Sequence, residues 1–164
     1  MEWAVAYDGP IAIKYARGQA YYGLKDYNEP VEYGKSEILR EGSEIALVAV
    51  GNMVEETEKL YNRFLQEGRQ VTFVNARFIK PLDKEMIDHL AETHKLIVTI
   101  EEGILHGGYG ALVEEYLESK ASDVKVLPIA IEDTFVRHGS VEELRKMLKI
   151  DAESIYRRIR DIME

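Results

Sequence analysis

Val71-Thr72-Phe73-Val74-Asn75-Ala76-Arg77-Phe78-Ile79-Lys80-Pro81-Leu82-Asp83 reads as a buried strand that ends on an arginine, then a turn, then the start of a helix. Pro81 breaks the run, and Asp83 is the residue type that caps a helix N-terminus. Strand, turn and helix in that order make half of a β-α-β unit. In a parallel α/β sheet, loops and helix N-termini converge at the carboxyl ends of the strands, and ligands bind there. A forked, permanently charged guanidinium at such a place suits a phosphate or a carboxylate. The other reading of Arg77 is an ion pair with a neighbouring acid such as Glu101, and the segment leaves both open.

Three further apolar, β-branched runs keep step with it: Ile45–Val50, Leu96–Ile100 and Val124–Ile129, at an interval of roughly 25 residues. None alternates strictly between polar and apolar, as befits strands covered on both faces. Between them lie helical patterns. Met53, Thr57, Leu60, Tyr61, Phe64 and Leu65 share one face, with Gly68 as the stop. Met86, Ile87, Leu90 and Ala91 form the next face, and Ala111, Leu112, Tyr116 and Leu117 follow the glycine turn at 107–110. Ser140 and Glu143 are spaced as a capping box before Leu144, Met147 and Leu148. Asp151 then opens a last helix carrying Ile155, Ile159 and Ile162. Such alternation predicts right-handed β-α-β units in a three-layer α/β/α domain with a mainly parallel sheet.

The first 44 residues break this rhythm. Ile11–Tyr15 has the composition of a strand, Gln19–Pro30 is polar and tyrosine-rich, and Glu32–Leu39 is a second strand candidate closed by Glu41-Gly42. A lone strand needs partners. The expectation is that Ile11–Tyr15 belongs to the edge of another domain, that Gln19–Pro30 is a linker, and that the chain begins in mid-fold.

Composition narrows the function. The chain has 164 residues, the size of one domain, and a net charge of −9 from 21 basic and 30 acidic side chains, which speaks against a nucleic-acid or anionic-membrane surface. The absence of cysteine excludes disulfides, thiolate catalysis and cysteine-bound metals, and fits a reducing cytoplasm. The longest apolar run, Ile45–Val50, is far too short to span a bilayer, and the N-terminus lacks a basic-then-apolar leader pattern.

Candidate chemistry is sparse. Arg17 follows the Ile11–Tyr15 run and precedes Gly18; it is read either as an anion ligand or as a solvated linker residue. Glu101 and Glu102 follow the Leu96–Ile100 run, but neighbours on an extended chain point to opposite sides and make no natural dyad. One is expected to orient Arg77 and the other to cap a helix or meet solvent. Gly103-Ile104-Leu105-His106-Gly107-Gly108-Tyr109-Gly110 lacks the Gly-Lys-Ser/Thr ending of a phosphate loop, and Val113 stands where a dinucleotide fingerprint needs its third glycine. It is therefore read as a tight turn. His89, His94, His106 and His138 have no metal-site spacing. His89 and His94 lie at a helix end, where a cation suits the dipole. No residue forms a convincing nucleophile arrangement.

Asp8-Gly9-Pro10-Ile11-Ala12-Ile13-Lys14-Tyr15-Ala16-Arg17-Gly18 resembles the "GP-(A/I)-R-Y-P-R-G" segment of the 1-deoxy-D-xylulose-5-phosphate synthases, within the transketolase-like superfamily. So do Val74–Asp83, Val98–Gly103 with Gly107–Gly110, and Ile131-Glu132-Asp133-Thr134-Phe135-Val136-Arg137-His138-Gly139, in order and at matching spacing. The resemblance implies a transketolase C-terminal domain-like sheet of five strands over residues 31–164. Residues 1–30 would be the tail of the pyrimidine-binding domain and a linker. It implies a homodimeric parent that uses thiamine diphosphate and Mg2+ to condense pyruvate with glyceraldehyde 3-phosphate, releasing CO2. The metal and cofactor ligands and the catalytic glutamate would lie in domains outside this chain. The fragment would be inactive alone, with those domains as its partners. Arg17 and Arg77 look like the pair that binds the acceptor's phosphate. Lys14 and Ala16 depart from the family's arginine and proline, and His106 falls at a variable position. A 2-oxo-acid dehydrogenase β-subunit, a split transketolase and a free-standing non-catalytic module are the alternatives.

Overall fold

Along one strand the side chains alternate between two helical layers, and this alternation builds the domain. In β2 (Glu44–Ala49), Ile45 and Leu47 face one side while Ala46 and Val48 face the other, all of them fully buried. This is why the strands carry no polar alternation: both faces are covered. The computed structural model describes residues 2–15, 21–25, 27 and 29–163.

The sheet has five strands in the order β1-β3-β2-β4-β5: β1 (Glu37–Arg40), β3 (Thr72–Asn75), β2, β4 (His94–Ile104) and β5 (Lys125–Ile131). All pairs are parallel except β1 against β3. The mainly parallel three-layer expectation therefore holds, with one antiparallel edge strand. On one face, α2 (Met53–Gln66) and α6 (Ala152–Met163) set Met53, Leu60, Phe64, Ile155 and Ile159 against Ile45, Leu47, Val98 and Ile129. On the other, α3 (Lys84–Thr93) and α4 (Tyr109–Ser119) bring Ile87, Leu90, Tyr109, Val113 and Leu117 against Ala46, Val48, Val74 and Ile97.

The helix ends follow the expected chemistry. The Asp83 carboxylate accepts the Met86 N–H at 3.2 Å at the start of α3. Ser140 and Glu143 form the anticipated capping box on α5 (Val141–Met147). Asp83 also accepts the Ser36 N–H at 2.6 Å, so one carboxylate ties the approach to β1 to the start of α3.

The N-terminal residues and His94 depart from what local pattern alone suggests. Ile11–Tyr15 forms no strand: it runs as an exposed extended segment, because no sheet edge among the described residues pairs with it. A short helix, α1 (Glu2–Ala6), precedes it and was not legible in the sequence. His94 does stand at a helix end, as the C-cap of α3 and the first residue of β4, but burial pushes its pKa down, so it does not serve the dipole as a cation. Thr72 Oγ1 accepts the Gly42 N–H at 3.0 Å, and its hydroxyl lies 2.6 Å from His94 Nε2. Nδ1 faces the Leu90 carbonyl at 3.2 Å, so the network selects a neutral imidazole with its proton on Nδ1.

Candidate functional site at the carboxyl edge of the sheet

β3 ends at Asn75, and the chain then turns out of the sheet. Arg77 takes a left-handed backbone (φ 52°), and its N–H is accepted by the Asn75 side chain at 3.3 Å. That turn aims the guanidinium back along the sheet edge instead of into solvent; the side chain is 15% exposed. Its Nη2 pairs with Glu37 Oε2 at 2.6 Å and also donates to the Glu29 carbonyl at 3.1 Å, while Nη1 donates to the Pro30 carbonyl at 3.1 Å.

The acid that meets Arg77 is therefore Glu37, not Glu101. The sequence could not show this, because the contact depends on β1 running antiparallel to β3 with Glu37 opposite Asn75. Glu101 does something else. It is 4% exposed, and its Oε1 accepts the Gly110 N–H at 2.9 Å, capping α4 from the preceding strand. A Cβ on Gly108 would stand 2.3 Å from the Ile104 carbonyl and 2.6 Å from Glu101 Oε1, so the loop closes around the carboxylate only because position 108 has no side chain. The tight-turn reading of 103–110 holds, and Glu101 is its reason. Tyr109 beside it is buried, and its hydroxyl has no partner among the described residues. Burial, with the nearby charges of Asp83 and Glu101, raises its pKa.

Glu102 points the other way, as its neighbour position requires. It pairs with Arg145 Nε at 2.7 Å and accepts from the Asn52 amide. Arg145 also reaches Glu56 at 3.3 Å, and Glu56 in turn accepts the Ala152 N–H at 3.1 Å and pairs with Lys59 at 2.7 Å. This network sits between the ends of β2 and β4, whose following helices leave to opposite faces. Open α/β sheets take their ligands at that switch point. Here the chain's own charges fill it.

The N-terminal arm lies over the same edge. Trp3 stacks on Tyr7 at 5.2 Å, Tyr7 on Tyr33 at 5.3 Å, and Phe78 meets Trp3 edge-on at 5.3 Å. Further on, Lys14 Nζ is 3.5 Å from the Glu102 carbonyl. Arg17, the other expected anion ligand, lies outside the described residues. His138 is exposed in the loop after β5, beside the fully exposed Phe135. Among the described residues no group of three or more His, Asp or Glu side chains is placed to hold a metal ion, and no helix is long and apolar enough to cross a membrane.

An open sheet of this order, mainly parallel with an antiparallel first strand, is the fold of the C-terminal domain of transketolase-type enzymes. The chain belongs to that family, Transketolase, C-terminal domain, which matches residues 34–155. Its curated relatives are narrower in kind. The 1-deoxy-D-xylulose-5-phosphate synthase of Lachnoclostridium phytofermentans is 42% identical over 160 residues, covering 97% of this chain and 26% of that protein. The synthase of Heliobacterium modesticaldum is 40% identical over 162 residues, covering 98% and 25%. The chain thus spans about a quarter of the length of the curated relatives it matches. Among solved structures, a split-gene transketolase described as an inactive β4 tetramer superposes with a TM-score of 0.76 at 24% identity, over 88% of this chain and 46% of that one. Transketolase from Campylobacter jejuni gives 0.59 at 16% identity, over 82% and 20%. At these identities the likeness is one of fold.

Proposed function

We propose that this chain is the acceptor-phosphate side of a synthase that condenses pyruvate with glyceraldehyde 3-phosphate to 1-deoxy-D-xylulose 5-phosphate, with release of CO2. The observation that carries the reading is Arg77: a partly buried guanidinium, turned inward by a left-handed backbone at a strand's carboxyl end, in a chain 42% identical to such a synthase. Its donors suit the phosphate that distinguishes this acceptor from an unphosphorylated aldehyde. Arg17 would be the second cation of the clamp. Lys14 Nζ, three residues earlier in sequence, stands at the end of β4, which supports an arm that carries positive charge along this edge.

Residues 1–30 are read as the tail and linker of a preceding pyrimidine-binding domain, and 31–164 as the C-terminal domain. Thiamine diphosphate, with Mg2+, supplies the carbanion chemistry in such enzymes. The described residues do not fit that group, since they offer no carboxylate cluster for the metal. The cofactor would then be held by the other domains of a cytoplasmic homodimeric enzyme. The part this chain plays is to bind and orient the acceptor and to pack against those domains, and alone it is inactive. The synthase relatives, matched over nearly the whole chain, favour this reading over a 2-oxo-acid dehydrogenase β-subunit or split transketolase.

The test is Arg77→Ala in the full-length synthase that carries this domain. KM for glyceraldehyde 3-phosphate is expected to rise roughly 10- to 150-fold, the worth of one charge-assisted contact, while pyruvate decarboxylation is spared. Equal damage to both steps would make Arg77 a structural residue.

A further inference from the structure

The strand β1 carries an anomaly. Its burial alternates, with Glu37 and Leu39 facing inward at 8% and 4% exposure. Leu39 is the residue a core position asks for; Glu37 is not, since an acid that deep needs a partner. The partner is Arg77 at 2.6 Å, through Oε2 alone, while Oε1 is buried without a hydrogen bond among the described residues. An apolar side chain would satisfy the sheet better at this position. What the carboxylate does accomplish is to fix the guanidinium. The Glu37 carboxylate and the Glu29 and Pro30 carbonyls hold its two terminal nitrogens, and no described residue takes the Nε–H.

We propose that Glu37 is a positioning residue for the anion site, deepening the reading of Arg77 as a phosphate ligand and resting on it. Glu37 holds the guanidinium in one orientation before the acceptor arrives. The phosphate of a triose phosphate then meets a side chain that has already given up its rotamer freedom, with the Nε–H presented to it. Because Glu37 belongs to a strand paired with β3, residue for residue opposite Asn75, it cannot swing aside as a competitor would. Its negative charge lowers the site's general appetite for anions, so orientation and not bulk charge sets the selectivity.

The test uses the 164-residue chain, observed through the Arg77 Nε–H resonance and, for Arg77→Ala, which lacks that group, through the backbone amide resonances of residues 75–78, and titrated with inorganic phosphate, D-glyceraldehyde 3-phosphate and unphosphorylated D-glyceraldehyde. The variants are Glu37→Gln, Glu37→Asp and Arg77→Ala, each compared with the parent by its backbone amide spectrum so that a folding defect is seen separately. The expected result has four parts. Phosphorylated probes shift the parent resonance and glyceraldehyde does not. Glu37→Gln weakens both phosphorylated probes about tenfold, and Glu37→Asp, which keeps the charge on a shorter arm, weakens them less. Phosphate binding as tight or tighter in a folded Glu37→Gln would overturn the positioning role and leave the phosphate reading standing. Undiminished binding by Arg77→Ala, or none by the parent chain, would instead overturn the reading of Arg77 on which the inference rests.

Discussion

Replacing Arg145 with methionine tests how the C-terminal helices are fastened. Arg145 is the only buried residue of α5, where Leu144 is half-buried, so ion pairs help to hold this helix to the domain. The side chain is 10% exposed and joins Glu102 at 2.7 Å to Glu56 at 3.3 Å. Removing one member of a buried pair costs about 3–5 kcal/mol when a charge is left without company. Here both carboxylates keep other donors: Glu56 retains Lys59 and the Ala152 N–H, and Glu102 retains the Asn52 amide. Methionine also restores part of the buried volume. The expected loss is therefore about 2–3 kcal/mol, or roughly 4–12 °C in the thermal midpoint of a domain this size. Urea unfolding at neutral pH measures it, and a double-mutant cycle with Glu102→Gln isolates the pair. Amide exchange in α5 should accelerate ahead of exchange in β4. A loss under about 0.5 kcal/mol with no coupling to Glu102 would refute the claim that this charge network fastens the helix.

Other perturbations probe the remaining devices. Gly108→Ala forces a Cβ against the Ile104 carbonyl and Glu101 Oε1 together, and should destabilise by about 1–3 kcal/mol in the same unfolding assay. His94 titrates lower in the fold than in the unfolded chain, so the stability it supports is complete above its ordinary value of 6.5 and falls away as pH drops below it. His94→Gln should accordingly be less sensitive than the parent between about pH 7 and 5.5, read from urea midpoints at stepped pH. The Arg77→Ala split between acceptor KM and pyruvate decarboxylation completes the set.

What could be read from sequence was whatever is local. The strand-helix rhythm, the Asp83 cap and the Ser140–Glu143 capping box depend on residues a few positions apart, and each stands in the structure. The helix cap expected of one of the two glutamates is Glu101, but neither meets Arg77, a pairing that assumed two strand ends, at Asn75 and beyond Ile100, bring their charges together. The sheet order inserts β2 between β3 and β4, so Glu101 turns to its own helix and Arg77 finds the edge strand instead. Glu37 carried no local cue beyond being an acid among apolar neighbours. Nothing near Arg145 in the sequence signals its burial, which arises from Glu56 and Glu102, both remote in sequence. Ile11–Tyr15 has the composition of a strand but runs extended and exposed, since strand composition needs an available edge to pair with.

The aromatic stack over the sheet edge turns the chain's single tryptophan into a selective optical reporter. Trp3 sits outside the hydrophobic core, against Tyr7, Tyr33 and the ring of Phe78, one residue from Arg77. Its emission will therefore follow lift-off of the N-terminal arm, while far-ultraviolet circular dichroism follows melting of the sheet and helices. If the two transitions separate on heating, the gap between them measures how loosely the arm is moored, and phosphate added to the cuvette will show whether an anion tightens it.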